Sequence, residues 1–148
     1  MLWFLRHAEA AEGSPDAARP LTQRGIRQAQ IAGLALSRLG INLDICLSSP
    51  KRRAMETAQL ACAPIGVDVI TEPALADSGY DAERLAAGHG DVMLVGHNPS
   101  LSIALHDLSG ARVDLRKAGI AGVERRELVV LMTPAELEAV ANMTEAAA

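Results

Sequence analysis

The chain has 148 residues, of which 49% are hydrophobic and 22% charged, and it carries a formal net charge of −4 with one Trp, one Tyr and one Phe. That length fits one domain spanning residues 1–148, and the scarcity of aromatic side chains leaves its core to Ala, Leu, Val and Ile. Net acidity argues against nucleic acid as a partner, and the short basic run Lys51-Arg52-Arg53 does not overturn that.

The opening apolar run ends at Arg6 without the basic segment and long apolar stretch of a signal peptide. The longest apolar-looking stretch, 92–105, is broken by Gly96, His97, Asn98 and Pro99, so no membrane span is expected and a cytoplasmic location is. Residues 1–5, 44–49, 67–70 and 91–96 read as buried strands. Between the first two, Thr22 as N-cap, apolar positions at Ile26, Ala29, Ala32, Leu36 and Leu39, and a stop at Gly40 predict a helix. A second helix is expected to open with Ser49 as N-cap and Pro50 at its first position, with Ala54, Ala58 and Ala61 on one face. A weaker helical signal covers 82–87, and another helix is expected from Asn98-Pro99 to about Leu108. Residues 118–132 read as two strands around a turn near 124–126. Thr133-Pro134-Ala135-Glu136 forms a capping box for a last helix, and residues 144–148 are expected to fray. Strands alternating with helices predict a three-layer α/β/α sandwich with a mostly parallel central sheet. Cys46 and Cys62 lie in apolar runs without CxxC spacing and read as reduced core residues.

In such sheets ligands bind at the carboxyl ends of strands, and three of those ends are unusual. The first strand runs into Arg6-His7-Ala8-Glu9, the second into Ser49-Pro50-Lys51-Arg52-Arg53, the fourth into Gly96-His97-Asn98-Pro99. Lys51, Arg52 and Arg53 stand where a helix begins, and each cation there costs roughly 0.3–1 kcal/mol against the helix dipole. Glu56 at i+4 and i+3 can offset Arg52 and Arg53. Alternatively an anion sits before the helix and meets an inward Arg, a reading that convergence with Arg6 favours. A lone strand-end histidine is ordinarily structural, but two at neighbouring ends, flanked by Arg, suit attack on phosphorus by a neutral imidazole. No carboxylate or third histidine is spaced with them as metal ligands, and guanidinium repels a divalent cation, so a metal site is rejected. His89 and His106 read as structural or solvated.

The segment FLRHAEA (residues 4–10) resembles the Arg-His-Gly signature of the histidine phosphatase superfamily, which includes phosphoglycerate mutases and acid phosphatases. ARPLTQRGIRQAQ (18–30), SSPKRRAMETA (48–58) and VGHNPSL (95–101) look most like its short SixA-type phosphohistidine phosphatases. Ala8 stands where many relatives have Gly, a small-for-small exchange the turn is expected to tolerate.

The resemblance implies a phosphoglycerate mutase-like fold without a cap domain, no cofactor and no metal. It makes His7 the nucleophile, has Arg6 and Arg53 bind the phosphoryl oxygens, and has His97 donate a hydrogen bond to them. Many relatives carry a Leu-x-Glu acid after the third strand. Here Leu75-Ala76-Asp77 falls at that place, and Asp77 reads either as a general acid or as a loop carboxylate. Glu72 and Glu9 are weaker candidates. Arg19, Ser49 and Asn98 are candidates for the pocket rim, with an ion pair an equal account of Arg19 and N-capping of Ser49. The short span 71–90 leaves the expected site open, which favours phosphohistidine on a carrier or phosphotransfer domain over a small phosphate ester. A phosphoprotein-binding module that has lost catalysis is the remaining alternative.

Overall fold

A computed structural model describes residues 1–143, and the expectation for 144–148 lies outside them. In chain order the elements are β1 (Leu2–Arg6), α1 (Gln23–Arg38), β2 (Ile45–Ser48), α2 (Arg52–Cys62), β3 (Val69–Thr71), α3 (Ala82–Ala86), β4 (Val92–Gly96), α4 (Ser100–Ser109), β5 (Ile120–Glu124), β6 (Glu127–Met132) and α5 (Pro134–Ala141). Single 3-10 turns at Asp16–Ala18, Ala63–Ile65 and Pro73–Ala76 punctuate the connections.

The strands form one sheet in the order β3-β2-β4-β1-β5-β6, parallel from β3 to β1 and antiparallel at β5 and β6. Side-chain alternation splits the core into two layers. Trp3, Leu5, Cys46, Met93, Val95 and Ile120 face α1, α2 and α5, while Phe4, Leu47, Val92, Leu94 and Ala121 face α3 and α4. This is the expected α/β/α sandwich with a mostly parallel sheet. No cap domain is inserted after β3, since residues 72–91 hold one 3-10 turn and a five-residue helix. Both cysteines are buried free thiols in the first core layer.

Local chemistry accounts for most element ends. The Thr22 hydroxyl accepts from the Gly25 N–H at the start of α1, and the Thr133–Glu136 capping box opens α5. A Cβ at Gly25 would strike the Glu9 backbone, and one at Gly33 would lie 2.7 Å from the Ala61 carbonyl oxygen. The first glycine lets α1 abut the loop that follows β1, and the second lets α1 and α2 pack closely. The β5–β6 hairpin turns at Arg125 and Arg126, both with φ near 50–65°, the geometry of a type I′ turn.

Two expectations need correction. Leu39 was placed on the apolar face of α1 but is 45% exposed, because it is the C-cap residue where the chain leaves the helix. Helix α2 does not start with Ser49 as N-cap and Pro50 as its first residue. Lys51 is the N-cap and Arg52 the first residue, since the Ser49 hydroxyl is taken by the Lys51 N–H and by His97.

Candidate active site

Sheet register brings the site together. In the parallel β1–β4 pair Arg6 lies beside Gly96, so His7 and His97 each leave the sheet one residue later. Ser48 lies beside Val95 in the β2–β4 pair, which puts Ser49 at the same level. The ladder continues past the strands through His7 N–H to Gly96 O at 3.0 Å and Ser49 N–H to Val95 O at 3.0 Å. Because β4 is inserted between β2 and β1, the connections leaving β1 and β4 run to opposite sides of the sheet, and these strand ends form a topological switch point.

The two imidazoles sit 5.2 Å apart between ring centroids, and both are buried. His7 Nδ1 lies 2.7 Å from the Ala8 carbonyl oxygen. A carbonyl only accepts, so Nδ1 carries the proton of the neutral ring and Nε2 keeps its lone pair. Ala8 is buried at a negative φ, so its methyl group is accommodated. Its N–H donates to Thr57 Oγ1, whose hydroxyl donates in turn to the Arg53 carbonyl. His97 Nε2 lies 2.7 Å from Ser49 Oγ, which already accepts from Lys51 N–H. The Ser49 hydroxyl proton is therefore available to Nε2, a tautomer that leaves Nδ1–H of His97 as a buried donor without a partner in the chain.

Arg6 Nη1 donates to Leu115 O at 3.1 Å. Arg53 Nη1 and Nη2 donate to the Asp16 carbonyl and carboxylate at 3.0 and 3.2 Å. The Nε atoms of both arginines are buried without a partner, so three residues offer unpaired donor nitrogens at this end of the sheet. Burial first, then the charges of Arg53, Arg6 and Lys117, hold the His7 imidazole down to about 4, against the raising effect of its bond to Ala8. Burial, followed by His7, Arg53 and Lys51, takes His97 down to about 3, with Asp16 pulling the other way. Burial also lowers Arg6, partly offset by Asp114. At neutral pH the arrangement is a pair of uncharged imidazoles beside guanidinium groups, suited to nucleophilic attack on an anionic phosphoryl group.

These shifts carry a stability prediction. Between pH 6.5 and about 4 the unfolded chain takes up protons that the two folded imidazoles refuse, so stability is fully present above 6.5 and falls as pH drops through that window. Thermal melts from pH 8 to 4 are expected to show a falling Tm below 6.5, and the His97→Asn variant a shallower fall. A flat Tm across that range would contradict the buried neutral histidines.

The remaining candidates fall into place by their contacts. Arg19 ion-pairs with Asp16 at 3.0 Å and donates to Ala11 O. The Asn98 amide donates to Leu115 O and Asp114 and accepts from Ser102, tying the start of α4 to the following loop. Glu9 accepts from the Thr22 hydroxyl, and Glu72 caps Ala74 N–H. Asp77 is exposed at the end of the 3-10 turn whose Leu75 carbonyl packs near Gly96. His89 is exposed, and His106 lies near the Ala111 carbonyl at the end of α4. Glu56 pairs with Arg52 at 3.5 Å, whereas Arg53 turns away to Asp16. Sequence reasoning missed Asp16, Thr57 and Lys117. The Asp16–Arg19 spacing of i, i+3 was a local signal for the first and the 48–58 motif contains the second, but nothing local marked Lys117. Among the described residues no group of three or more His, Cys, Asp or Glu side chains is placed to hold a metal ion, and no helix is long and apolar enough to cross a membrane.

Comparison with known proteins bears on the family and the fold. An uncharacterised protein of Picosynechococcus sp. is 34% identical over 138 residues, covering 82% of this chain and 83% of that one. The crystal structure of a protein put forward as the phosphohistidine phosphatase SixA of Agrobacterium tumefaciens superposes with a TM-score of 0.79 at 26% identity, over 90% of this chain and 97% of that one. The fold is also shared with a protein histidine phosphatase SixA in complex with tungstate, at a TM-score of 0.83 and 22% identity over 92% and 98% of the two chains. The profile of the histidine phosphatase superfamily (branch 1) matches residues 2–83, and the chain belongs to that superfamily.

Proposed function

We propose that this phosphatase works through a phosphohistidine on His7 and that its substrate is phosphohistidine on a protein. The observation that carries the reading is the His7 ring itself: its Nδ1 proton is fixed on the Ala8 carbonyl and its burial keeps it neutral, so Nε2 is a ready nucleophile beside two guanidinium groups. In the first step the His7 Nε2–P bond forms as the bond from phosphorus to the substrate's leaving atom breaks. Arg6, Arg53 and the His97 Nδ1–H hold the phosphoryl oxygens and offset the charge that develops there. Water then attacks phosphorus, the P–Nε2 bond breaks, and phosphate leaves. Two fixed guanidinium groups supply the charge that a metal ion supplies elsewhere, so the reaction proceeds without one. We place the enzyme in the cytoplasm, acting on a phosphohistidine carrier or phosphotransfer domain.

The segment 72–91 is short and adds no cap domain, which suits a side chain presented by another protein. A second reading, hydrolysis of small phosphate esters, is favoured by Asp77, an exposed carboxylate two residues beyond a backbone that packs near Gly96. Alkoxide leaving groups need a proton, whereas an imidazole leaving group is far less demanding.

The test compares a phosphohistidine peptide with an alkyl phosphate on the wild type and on Asp77→Asn. The expected result is faster turnover of the phosphohistidine peptide, with kcat unchanged in the variant. Preferential turnover of the alkyl phosphate, lost in Asp77→Asn, would make the protein a phosphomonoesterase with Asp77 as its acid. No turnover of either substrate would favour a binding module.

A further inference from the structure

Three cations meet on one carboxylate at the edge of the site. Asp16 accepts from Arg19 Nη1 at 3.0 Å and Arg53 Nη2 at 3.2 Å, and lies 3.4 Å from Lys51 Nζ. Its carbonyl takes the remaining Arg53 terminal nitrogen at 3.0 Å. The loop that carries it is closed at its base by the Ala10–Leu21 bridge and the Ala11 N–H to Pro20 O bond, and the 3-10 turn Asp16–Ala18 forms its tip. The Arg53 side chain is 7% exposed and that of Asp16 is 55% exposed, so the pair runs from inside the site to its rim.

One carboxylate faces three cations here, so Lys51, Arg53 and Arg19 keep an excess of positive charge around it. What it does is lower the positive field where a substrate enters, without occupying the unpartnered Nε of Arg53. Its pKa lies well below the usual carboxylate range through Arg19 first and then Arg53 and Lys51, so it serves as a fixed charge and not as a proton donor. A phosphorylated protein side chain brings its phosphate on an otherwise neutral stem. A phosphorylated metabolite acid brings a second anion within a few ångströms of the phosphate, and with the phosphate on Arg53 that anion would lie in the near field of Asp16, 3.2 Å from the same guanidinium.

We propose that Asp16 is a specificity-determining residue, whose charge at the rim disfavours substrates carrying a second anionic group beside the phosphate. The inference rests on the reading of Arg53 as a phosphate-binding residue. It does not depend on which phosphorylated group is the physiological substrate.

Two probes that cannot be hydrolysed test it, phenylphosphonate and 4-carboxyphenylphosphonate, by calorimetric titration of the full chain as wild type and as Asp16→Asn. The expected result is a fall of roughly two- to fivefold in the ratio of the carboxylated Kd to the plain Kd in the variant at low salt, the range for one partly exposed charge. At about 1 M salt the difference should vanish, because the screening length drops to about 3 Å. An unchanged ratio, or equal weakening of both probes, is the signature of a merely structural role and overturns the proposal. Failure of the wild type to bind phenylphosphonate overturns it too. Should Asp16→Asn not fold, the equally uncharged Asp16→Ser is titrated in its place and must show the same fall in the ratio. Because neither probe contains a P–N bond and no turnover is measured, failure of the phosphohistidine assay would sink the proposed substrate and leave this result standing.

Discussion

Replacing His7 with alanine is expected to lower kcat/KM by roughly 10⁴–10⁶-fold, the scale on which enzymes lose activity when a covalent nucleophile is removed. The residual rate would come from Arg6, Arg53 and His97, which still gather a phosphoryl group but offer it no atom to bond. The loss should fall in kcat, because the ring contributes little to holding the substrate before attack. With a ³²P-labelled substrate, a quench at high pH, where P–N bonds survive, should trap label on the wild type and none on His7→Ala. Folding should be spared, since the lost side-chain contact is one hydrogen bond to the Ala8 carbonyl. Equal labelling of the variant, or turnover within tenfold of wild type, would remove His7 from the nucleophile's role.

Arg53→Ala is expected to cost about 10²–10³-fold in kcat, the magnitude for loss of one preorganised donor to a developing oxyanion. Arg53 is buried with both terminal nitrogens fixed on Asp16, so its Nε is aimed before any substrate arrives. Lysine restores the charge but neither the fork that engages Asp16 nor an Nε at that position, so Arg53→Lys should recover only part of the loss. Stability should fall far less than activity. Removing a cation from the start of α2 relieves an unfavourable dipole interaction of roughly 0.3–1 kcal/mol, which offsets part of the loss of the two hydrogen bonds to Asp16, and Asp16 keeps Arg19 and Lys51 as partners. Equal kcat in Arg53→Lys and wild type would show that charge alone suffices at this position.

How much of this was legible before any coordinates depended on the range of the interaction. The strands ending at Arg6, Ser48 and Gly96 are short apolar runs, and Thr22, Gly40 and the Thr133 capping box are local stop and start signals, so the elements could be read residue by residue. The family motifs then pointed to His7, Arg6, Arg53 and His97, and the register of β1, β2 and β4 puts their backbones at one end of the sheet. What could not be read was the pairing of distant groups. Asp16 and Arg53 are 37 residues apart, and Thr57 meets Ala8 across 49. The start of α2 was misread for a related reason. Ser49 followed by Pro50 fits an N-cap, but a histidine 48 residues away claims the serine hydroxyl instead. Nor does any local pattern state that β4 enters between β2 and β1, which is the step that places His97 between His7 and Ser49.

The ladder bonds at His7 and Ser49, running to Gly96 and Val95, have a consequence for how this enzyme is lost. Those amides belong to central parallel strands, the part of such a sheet that opens last and exchanges its protons most slowly. The two histidines therefore share the lifetime of the native state, and no partial fraying at β6 or α5 parts them from one another. Heat or denaturant should separate the pair only in the transition that opens the centre of the sheet, whereas loosening of the Asp16 loop would release Arg53 alone.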